Sequence, residues 1–99
     1  KNADYIIPDS DSKMLTDADV AGLSLKEINY AKNEIYARHG RKFDSKELRD
    51  YFNSKDWYDG RISPADFSER VFNRYEKKNS EFLARKEESM QRGGYKLDQ

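Results

Sequence analysis

The sequence predicts an all-α fold, a compact bundle of four to five helices with an extended N-terminal arm and a long C-terminal helix. A capping pattern recurs four times, at residues 15–20, 23–28, 43–48 and 62–67. In each, an apolar residue precedes a capping residue, an acidic residue follows three positions later, and another apolar residue comes next. Apolar residues then recur at helical spacing behind the caps. Because caps and spacing agree repeatedly, helices are favoured over strands.

The helices are expected in chain order at residues 17–21, 25–39, 45–53, a short turn opened at 63–64, and 69–91. Gly40 supplies a residue that ends the second helix in the left-handed region without steric cost. The Gly93-Gly94 pair closes the last one. Pro64 suits the first position of a short helical turn, since its missing N–H needs no partner there.

The chain ahead of the helices is predicted to be extended. Pro8 disfavours helical geometry at Ile7, and we expect Tyr5 and Ile7 to pack on the helices. Large apolar residues become sparse near the other end of the chain. We therefore divide the sequence into three parts: a flexible N-terminus at 1–4, a helical domain at 5–83, and a projecting helix end with a tail at 84–99.

Composition excludes several classes of function. The 99 residues allow one domain, and 19 basic residues balance 19 acidic ones, so the basic face of a nucleic-acid module is missing. No apolar run of about 18 residues exists to insert into a membrane. Cysteine is absent and histidine occurs once, which argues against a metal site. We predict no cofactor and favour a monomer.

One pentapeptide, Tyr36-Ala37-Arg38-His39-Gly40, lies at the end of the second predicted helix. It resembles the signature of the YARHG domain, a small bacterial module. The similarity covers roughly residues 5–83 and includes Tyr5-Ile6-Ile7-Pro8-Asp9-Ser10, Asn33-Glu34-Ile35, Tyr51-Phe52-Asn53, Trp57-Tyr58, Ser63-Pro64 and Glu76-Lys77-Lys78-Asn79. The resemblance implies an extracellular module, anchored to the cell envelope through its parent protein, with no established biochemical activity.

The residues around the pentapeptide permit two interpretations. Glu34 and Arg38 are four positions apart, in the favourable order for a helical ion pair. In the favoured interpretation Tyr36, Arg38, His39 and Gly40 are structural, because cations suit the negative end of a helix. Asn33 and Asn79 lie near the inner faces of long helices, and one or both are expected to tie loop backbone to a helix. In the other interpretation Arg38, His39, Arg41 and Lys42 bind an anionic group.

A second candidate site is the loop Trp57-Tyr58-Asp59-Gly60. Aromatic side chains beside a carboxylate could hold a sugar ring or a peptide side chain, and aromatic residues commonly anchor interfaces. We favour a core position for Trp57, with Tyr58 as the ligand-facing ring.

Two functions follow from these candidates. The first is a non-catalytic binding module for a protein, a peptide or cell-wall glycan, using Trp57, Tyr58, Asp59, Arg38, Arg41 and Lys42. The alternative is a hydrolytic enzyme domain centred on His39 with a carboxylate partner. An enzyme requires His39 to meet a carboxylate in an open pocket, whereas a binding module does not.

Overall fold

The computed structural model describes residues 4–99, so the expected flexible N-terminus at 1–4 lies almost entirely outside the described residues. The α-helices are α1 (Asp17–Val20), α2 (Leu25–Ala37), α3 (Lys46–Asn53) and α4 (Arg74–Met90). Two 3₁₀ helices cover Pro8–Asp11 and Glu69–Val71. This confirms the predicted all-α bundle for the described part of the chain. None of these helices is long and apolar enough to cross a membrane.

Helix α2 is the centre of the domain, because hydrophobic clusters lie on two of its sides. On one side it packs mainly on α4, and the buried cluster contains Ile7, Leu15, Val20, Ile28, Ala31, Ile35 and Leu83. On the other side it faces α3, and the buried cluster contains Tyr30, Ala37, Phe43, Leu48 and Phe52. Sharing one helix between two clusters lets a small chain bury more of its apolar surface, since two sides of that helix are then covered.

Helix α2 begins at the predicted capping box. The Ser24 hydroxyl accepts from Glu27 N at 3.1 Å, and the Glu27 carboxylate accepts from Ser24 N at 2.9 Å. At α3 the predicted cap is wrong by one residue, since Ser45 rather than Asp44 accepts from the Leu48 amide. The acidic residue of that pattern, Glu47, does not bond back to the cap, because its carboxylate accepts from Tyr30 and Tyr95 instead.

Helix α4 begins five residues later than predicted. Residues 69–71 form a 3₁₀ turn, and the chain is extended at Phe72 before the helix starts at Arg74. The cap is Asn73, whose side chain accepts from Glu76 N at 2.8 Å, while Glu76 accepts from Asn73 N at 2.9 Å. This capping box was visible in the sequence, but the apolar spacing that continues upstream through Val71 concealed it.

The N-terminal arm is only partly extended. Ile7 lies in a bend with φ −128° and ψ 88°, outside helical geometry, and Pro8 then opens a 3₁₀ helix where a turn was expected. Ile7 is buried in the core beside α2 and α4, and the ring of Tyr5 lies 4.9 Å from that of Trp57. Ile7 therefore packs on the helices as expected, whereas Tyr5 packs on Trp57 in the loop that follows α3.

The predicted projection of residues 84–99 is wrong. Glu87, near the end of α4, is 4% exposed. Its carboxylate accepts from Asn29 Nδ2 at 2.9 Å and forms an ion pair with Lys32 at 2.8 Å, both on α2. Burial raises the pKa of Glu87, but the bonds from Lys32, Asn29 and the Tyr95 amide outweigh it and leave the pKa lowered. The scarcity of large apolar residues here had suggested that the helix end projects into solvent. The polar contacts of Glu87 with α2 hold it against the domain instead.

The tail also returns to the body of the domain. Two consecutive glycines with positive φ, Gly93 and Gly94, reverse the chain after α4. The Tyr95 hydroxyl then donates to the Glu47 carboxylate at 2.7 Å, and Tyr30 donates to the same oxygen. These two bonds explain why Glu47 does not complete the predicted capping box of α3.

Candidate functional site

The pentapeptide places a sharp turn between α2 and the following loop. Ala37 is the last helical residue, and Gly40 has φ +86°. The Gly40 carbonyl accepts from Arg61 N at 2.8 Å and from Ile62 N at 2.9 Å, while Lys42 N donates to the Ile62 carbonyl at 2.8 Å. The helix end is therefore joined to residues 60–62 through the backbone.

Gly40→Ala should lower the free energy of unfolding by about 2–3 kcal/mol, because a left-handed Ala costs about 1–2 kcal/mol and crowding adds to it. The new Cβ would lie 2.7 Å from the Arg61 side chain and 3.2 Å from the Asp59 carbonyl. Urea unfolding measures the loss. Gly22→Ala is the matched control, since its Cβ would meet no atom within 4 Å. Equal effects of the two substitutions would contradict the prediction.

His39 links the end of α2 to the start of α4. Its Nε2 lies 2.7 Å from Glu76 Oε2, and its ring centroid is 5.4 Å from that of Phe72. The other Glu76 oxygen accepts from Asn73 N in the α4 capping box. Because both carboxylate oxygens are engaged and Glu76 is buried, the pair has the geometry of a helix-to-helix contact.

Arg38 is turned toward the N-terminal arm. The predicted ion pair with Glu34 is not formed; the guanidinium instead pairs with Asp11 Oδ2 at 3.1 Å. It also donates to Ser10 Oγ at 3.2 Å and lies 4.0 Å from the Tyr5 ring centroid. An acceptor on the arm therefore replaces the predicted helical one, and Arg38 serves to hold the arm.

Glu34 is fully buried and binds the backbone of the arm. Its carboxylate accepts from Ile6 N at 2.9 and 3.1 Å and from Ile7 N at 3.2 Å. Burial raises the pKa of Glu34, opposed by the two amide groups and by the nearby Arg38. The side chain that was expected to pair along the helix thus fixes a segment 27 to 28 positions earlier.

The two asparagines differ in what they bind. Asn79, 1% exposed, accepts from Leu15 N at 3.0 Å and donates to the carbonyls of Ser10 and Lys13, both at 2.8 Å. Asn33 donates to the Asn29 carbonyl within its own helix. Asn79 therefore ties the arm to α4, as one of the two was expected to do, while within residues 4–99 Asn33 bonds to Asn29 of its own helix.

The 57–60 loop does not present one exposed patch. Trp57 is partly buried and packs on Tyr5 and Phe52, with ring centroids 4.9 and 6.0 Å away. The Tyr58 ring lies 5.8 Å from Phe52, and burial raises its pKa. Its hydroxyl donates to the Arg41 carbonyl at 2.6 Å, so the polar end of this ring is engaged within the fold.

Asp59 is the exposed member of that loop. Its side chain is 77% exposed and pairs with Arg61 at 3.1 Å. Exposed pairs of this kind contribute little to stability, about 0–1 kcal/mol. The six predicted binding residues thus do not converge on one surface, because Arg38 and Trp57 serve the arm and the core.

Two grooves flank the segment 60–64, and Pro64 lines both. The Arg41 groove, of about 500 Å³, lies against α2 and α4 and is lined by Asn33, Tyr36, Arg41, Phe67, Glu69 and Ser80, among others. The Lys42 groove, of about 450 Å³, lies against α3 and is lined by Lys42, Asp44, Arg49, Tyr58 and Ser63, among others. Three of the predicted binding residues, Arg41, Lys42 and Tyr58, are therefore the ones that the fold brings to grooves.

Arg41 has no carboxylate within 4 Å in the described part of the chain, although its side chain is partly buried. Its guanidinium carbon lies 5.4 Å from the Tyr36 ring centroid and 5.2 Å from that of Phe43. Arg38 and Arg41 are the two partly buried arginines in residues 4–99, and Arg38 is paired. Arg41 is thus a positioned cation that lacks an anion.

Tyr36 lines the same groove as Arg41, and the Arg41 guanidinium lies over its ring. Its hydroxyl donates to Glu69 Oε2 at 2.8 Å, and its ring contacts those of Phe67 and Phe72. Burial, with the bond to Glu69, raises the pKa of Tyr36 to about 12. Phe67 and Pro64 also line this groove. The sequence indicated only a capped turn at these two residues, so their place in the groove was not predicted.

In residues 4–99 no group of three His, Cys, Asp or Glu side chains is arranged to hold a metal ion. No curated protein matches the chain, and no solved structure matches it. The chain does match the YARHG domain family over residues 3–96, which is nearly its whole length. The match includes the pentapeptide, the arm and the tail that returns to α3. The protein is therefore a member of the YARHG domain family.

Proposed function

We propose that this domain is a monomeric, non-catalytic binding module of a bacterial cell-envelope or extracellular protein. It binds a peptide, a protein or cell-wall glycan across the two grooves on either side of Pro64. The location rests on the resemblance to the family. Binding at this surface rests on the position of Arg41 and Lys42 at the junction of the grooves.

The observation that carries the proposal is the unpaired guanidinium of Arg41. A partly desolvated cation gains more from an anion than an exposed one does, because the surrounding dielectric is lower. Its planar donors suit a carboxylate or a phosphate, and two aromatic rings hold its position. A site already organised in this way loses little conformational freedom when a ligand binds.

The position of His39 favours binding over hydrolysis. Its partner Glu76 is buried and caps α4, so the carboxylate that faces His39 Nε2 is already engaged by the fold. His39 also lines neither groove. A hydrolase centred on His39 would need that histidine and a nucleophile or water beside a bound substrate.

The test is an NMR titration of the ¹⁵N-labelled domain with defined probes: wall muropeptides, wall glycan oligosaccharides and a set of short synthetic peptides. We expect one probe class to shift the amides of Arg41, Lys42, Pro64-flanking residues and Phe67. Arg41→Ala should then weaken binding about tenfold, the value of one good charge-assisted bond. Far-ultraviolet circular dichroism checks that the variant is folded.

Arg85→Ala is the matched control, because it removes an exposed arginine of α4 that lines neither groove. It should bind as the wild type does. Shifts confined to the His39–Glu76 region, or equal binding by Arg41→Ala and the wild type, would overturn the proposal.

A further inference from the structure

We infer that the ligand of these grooves is an extended acidic peptide that presents one carboxylate to Arg41 and a second to Lys42. This inference rests on the proposed function and names the chemistry of the ligand. It follows from the arrangement of the two cations, from the charges around them and from the state of the aromatic rings.

The two cations face different grooves although they are consecutive in the chain. Arg41 forms an isolated parallel bridge with Ile62, so the backbone is extended there. Successive side chains of an extended segment point to opposite sides. Accordingly Arg41 lines one groove and Lys42 the other. A ligand that meets both cations must cross the segment between the grooves.

Nearby charges in the Arg41 groove are already engaged. Glu69 accepts from the Tyr36 hydroxyl, and Lys77 lies 3.2 Å from Glu81 and 4.0 Å from Glu69. Lys32 is paired with Glu87 at 2.8 Å. Hence the guanidinium of Arg41 is the charge in this groove that an incoming anion would meet without displacing a partner.

The Lys42 groove carries an excess of positive charge. Lys42 and Arg49 line it together with a single acidic residue, Asp44. Lys42 has no carboxylate within 4 Å in residues 4–99, and Arg49 donates to the backbone carbonyl of Asp44 at 2.6 Å. Two carboxylates, Glu69 and Glu81, also line the Arg41 groove, but both are paired with Lys77. Among the lining charges without an ion-pair partner in residues 4–99, Arg41, Lys42 and Arg49 outnumber Asp44, so the two grooves together complement a ligand with more than one negative charge.

The aromatic rings argue for a peptide over a glycan. A sugar stacks on an open ring face, but the partly buried rings of Tyr36 and Tyr58 already contact neighbouring side chains. Phe67, Phe72 and Arg41 surround Tyr36, and Phe52 and Phe43 lie against Tyr58. An extended peptide needs no such face. With a rise of about 3.3 Å per residue, acidic residues three positions apart lie roughly 10 Å apart, so one extended peptide can carry two well-separated carboxylates.

The experiment compares two blocked pentapeptides by NMR titration at low salt. The first has glutamate at positions 1 and 4 with serine and glycine elsewhere, and the second has glutamine at the same positions. We expect the acidic peptide to bind at least tenfold more tightly and its affinity to fall as salt is raised. Arg41→Ala and Arg41→Gln should each abolish that advantage, Lys42→Ala should reduce it several-fold, and Arg85→Ala should leave it unchanged.

The outcomes separate this inference from the proposed function. Equal affinities for the acidic and glutamine peptides would overturn the inference. So would an advantage for the acidic peptide that survives both Arg41 substitutions. If wall glycan shifts the groove amides while neither peptide does, the acidic-peptide inference fails and the proposed binding surface stands. If no probe shifts them, both fail.

Discussion

Glu34→Ala is expected to lower the free energy of unfolding by about 3–5 kcal/mol, which is a large part of the stability of a small domain. The substitution removes the acceptor for the amides of Ile6 and Ile7 and leaves them without a partner beside α2. For a domain of this size each kcal/mol lowers Tm by roughly 4–8 °C. Thermal and urea unfolding measure the total effect.

The site of the damage is tested by hydrogen exchange. The amides of Ile6 and Ile7 should exchange much faster in the variant than in the wild type, because their acceptor is gone. Glu34→Gln retains one acceptor oxygen and should cost less than Glu34→Ala. Glu81→Ala, which removes a carboxylate paired with Lys77 on the surface, is the control and should change stability by less than about 0.5 kcal/mol. A Glu34→Ala variant as stable as this control would show that Glu34 does not hold the arm.

Asn79→Ala should cost about 3–4 kcal/mol, because three backbone groups lose their partner at once. These are the amide of Leu15 and the carbonyls of Ser10 and Lys13. Water cannot readily replace the bonds, since Asn79 is 1% exposed. Urea unfolding gives the loss, and faster exchange of the Leu15 amide localises it.

Two further variants sharpen the result. Asn79→Asp keeps the acceptor for Leu15 but places a carboxylate against two carbonyls, so it should be about as harmful as alanine. Asn33→Ala is the matched control, because in the described part of the chain Asn33 bonds to Asn29 within α2. A loss of equal size in Asn33→Ala and Asn79→Ala would mean that the arm contacts of Asn79 contribute nothing particular.

The helices were predictable because their caps are local. Ser24 and Glu27 are three positions apart, and the bonds between them depend on nothing else in the fold. The same rule failed at α3, where Glu47 binds Tyr30 and Tyr95 instead of the cap. A competing partner from a distant part of the chain cannot be read from a three-residue spacing.

The candidate site was predictable only in part. The residue types of Arg41 and Lys42 suggested an anion site. Arg38 was predicted to belong to the same site, but its guanidinium pairs with Asp11 on the arm. The partner of His39 lies 37 positions away on another helix, so only the crossing of α2 and α4 could reveal it. Patterns along the chain give helix ends, whereas the choice of long-range polar partner depends on tertiary packing.

The polar side chains of α2 and α4 recognise the arm largely through its main chain. Glu34 and Asn79 bond to amides and carbonyls between residues 6 and 15, which every amino acid except proline can offer. Exposed arm positions such as Ser12 and Met14 can therefore change in sequence during evolution without loss of the contacts that hold the arm. Related proteins should conserve the two recognising residues more strictly than the segment they hold.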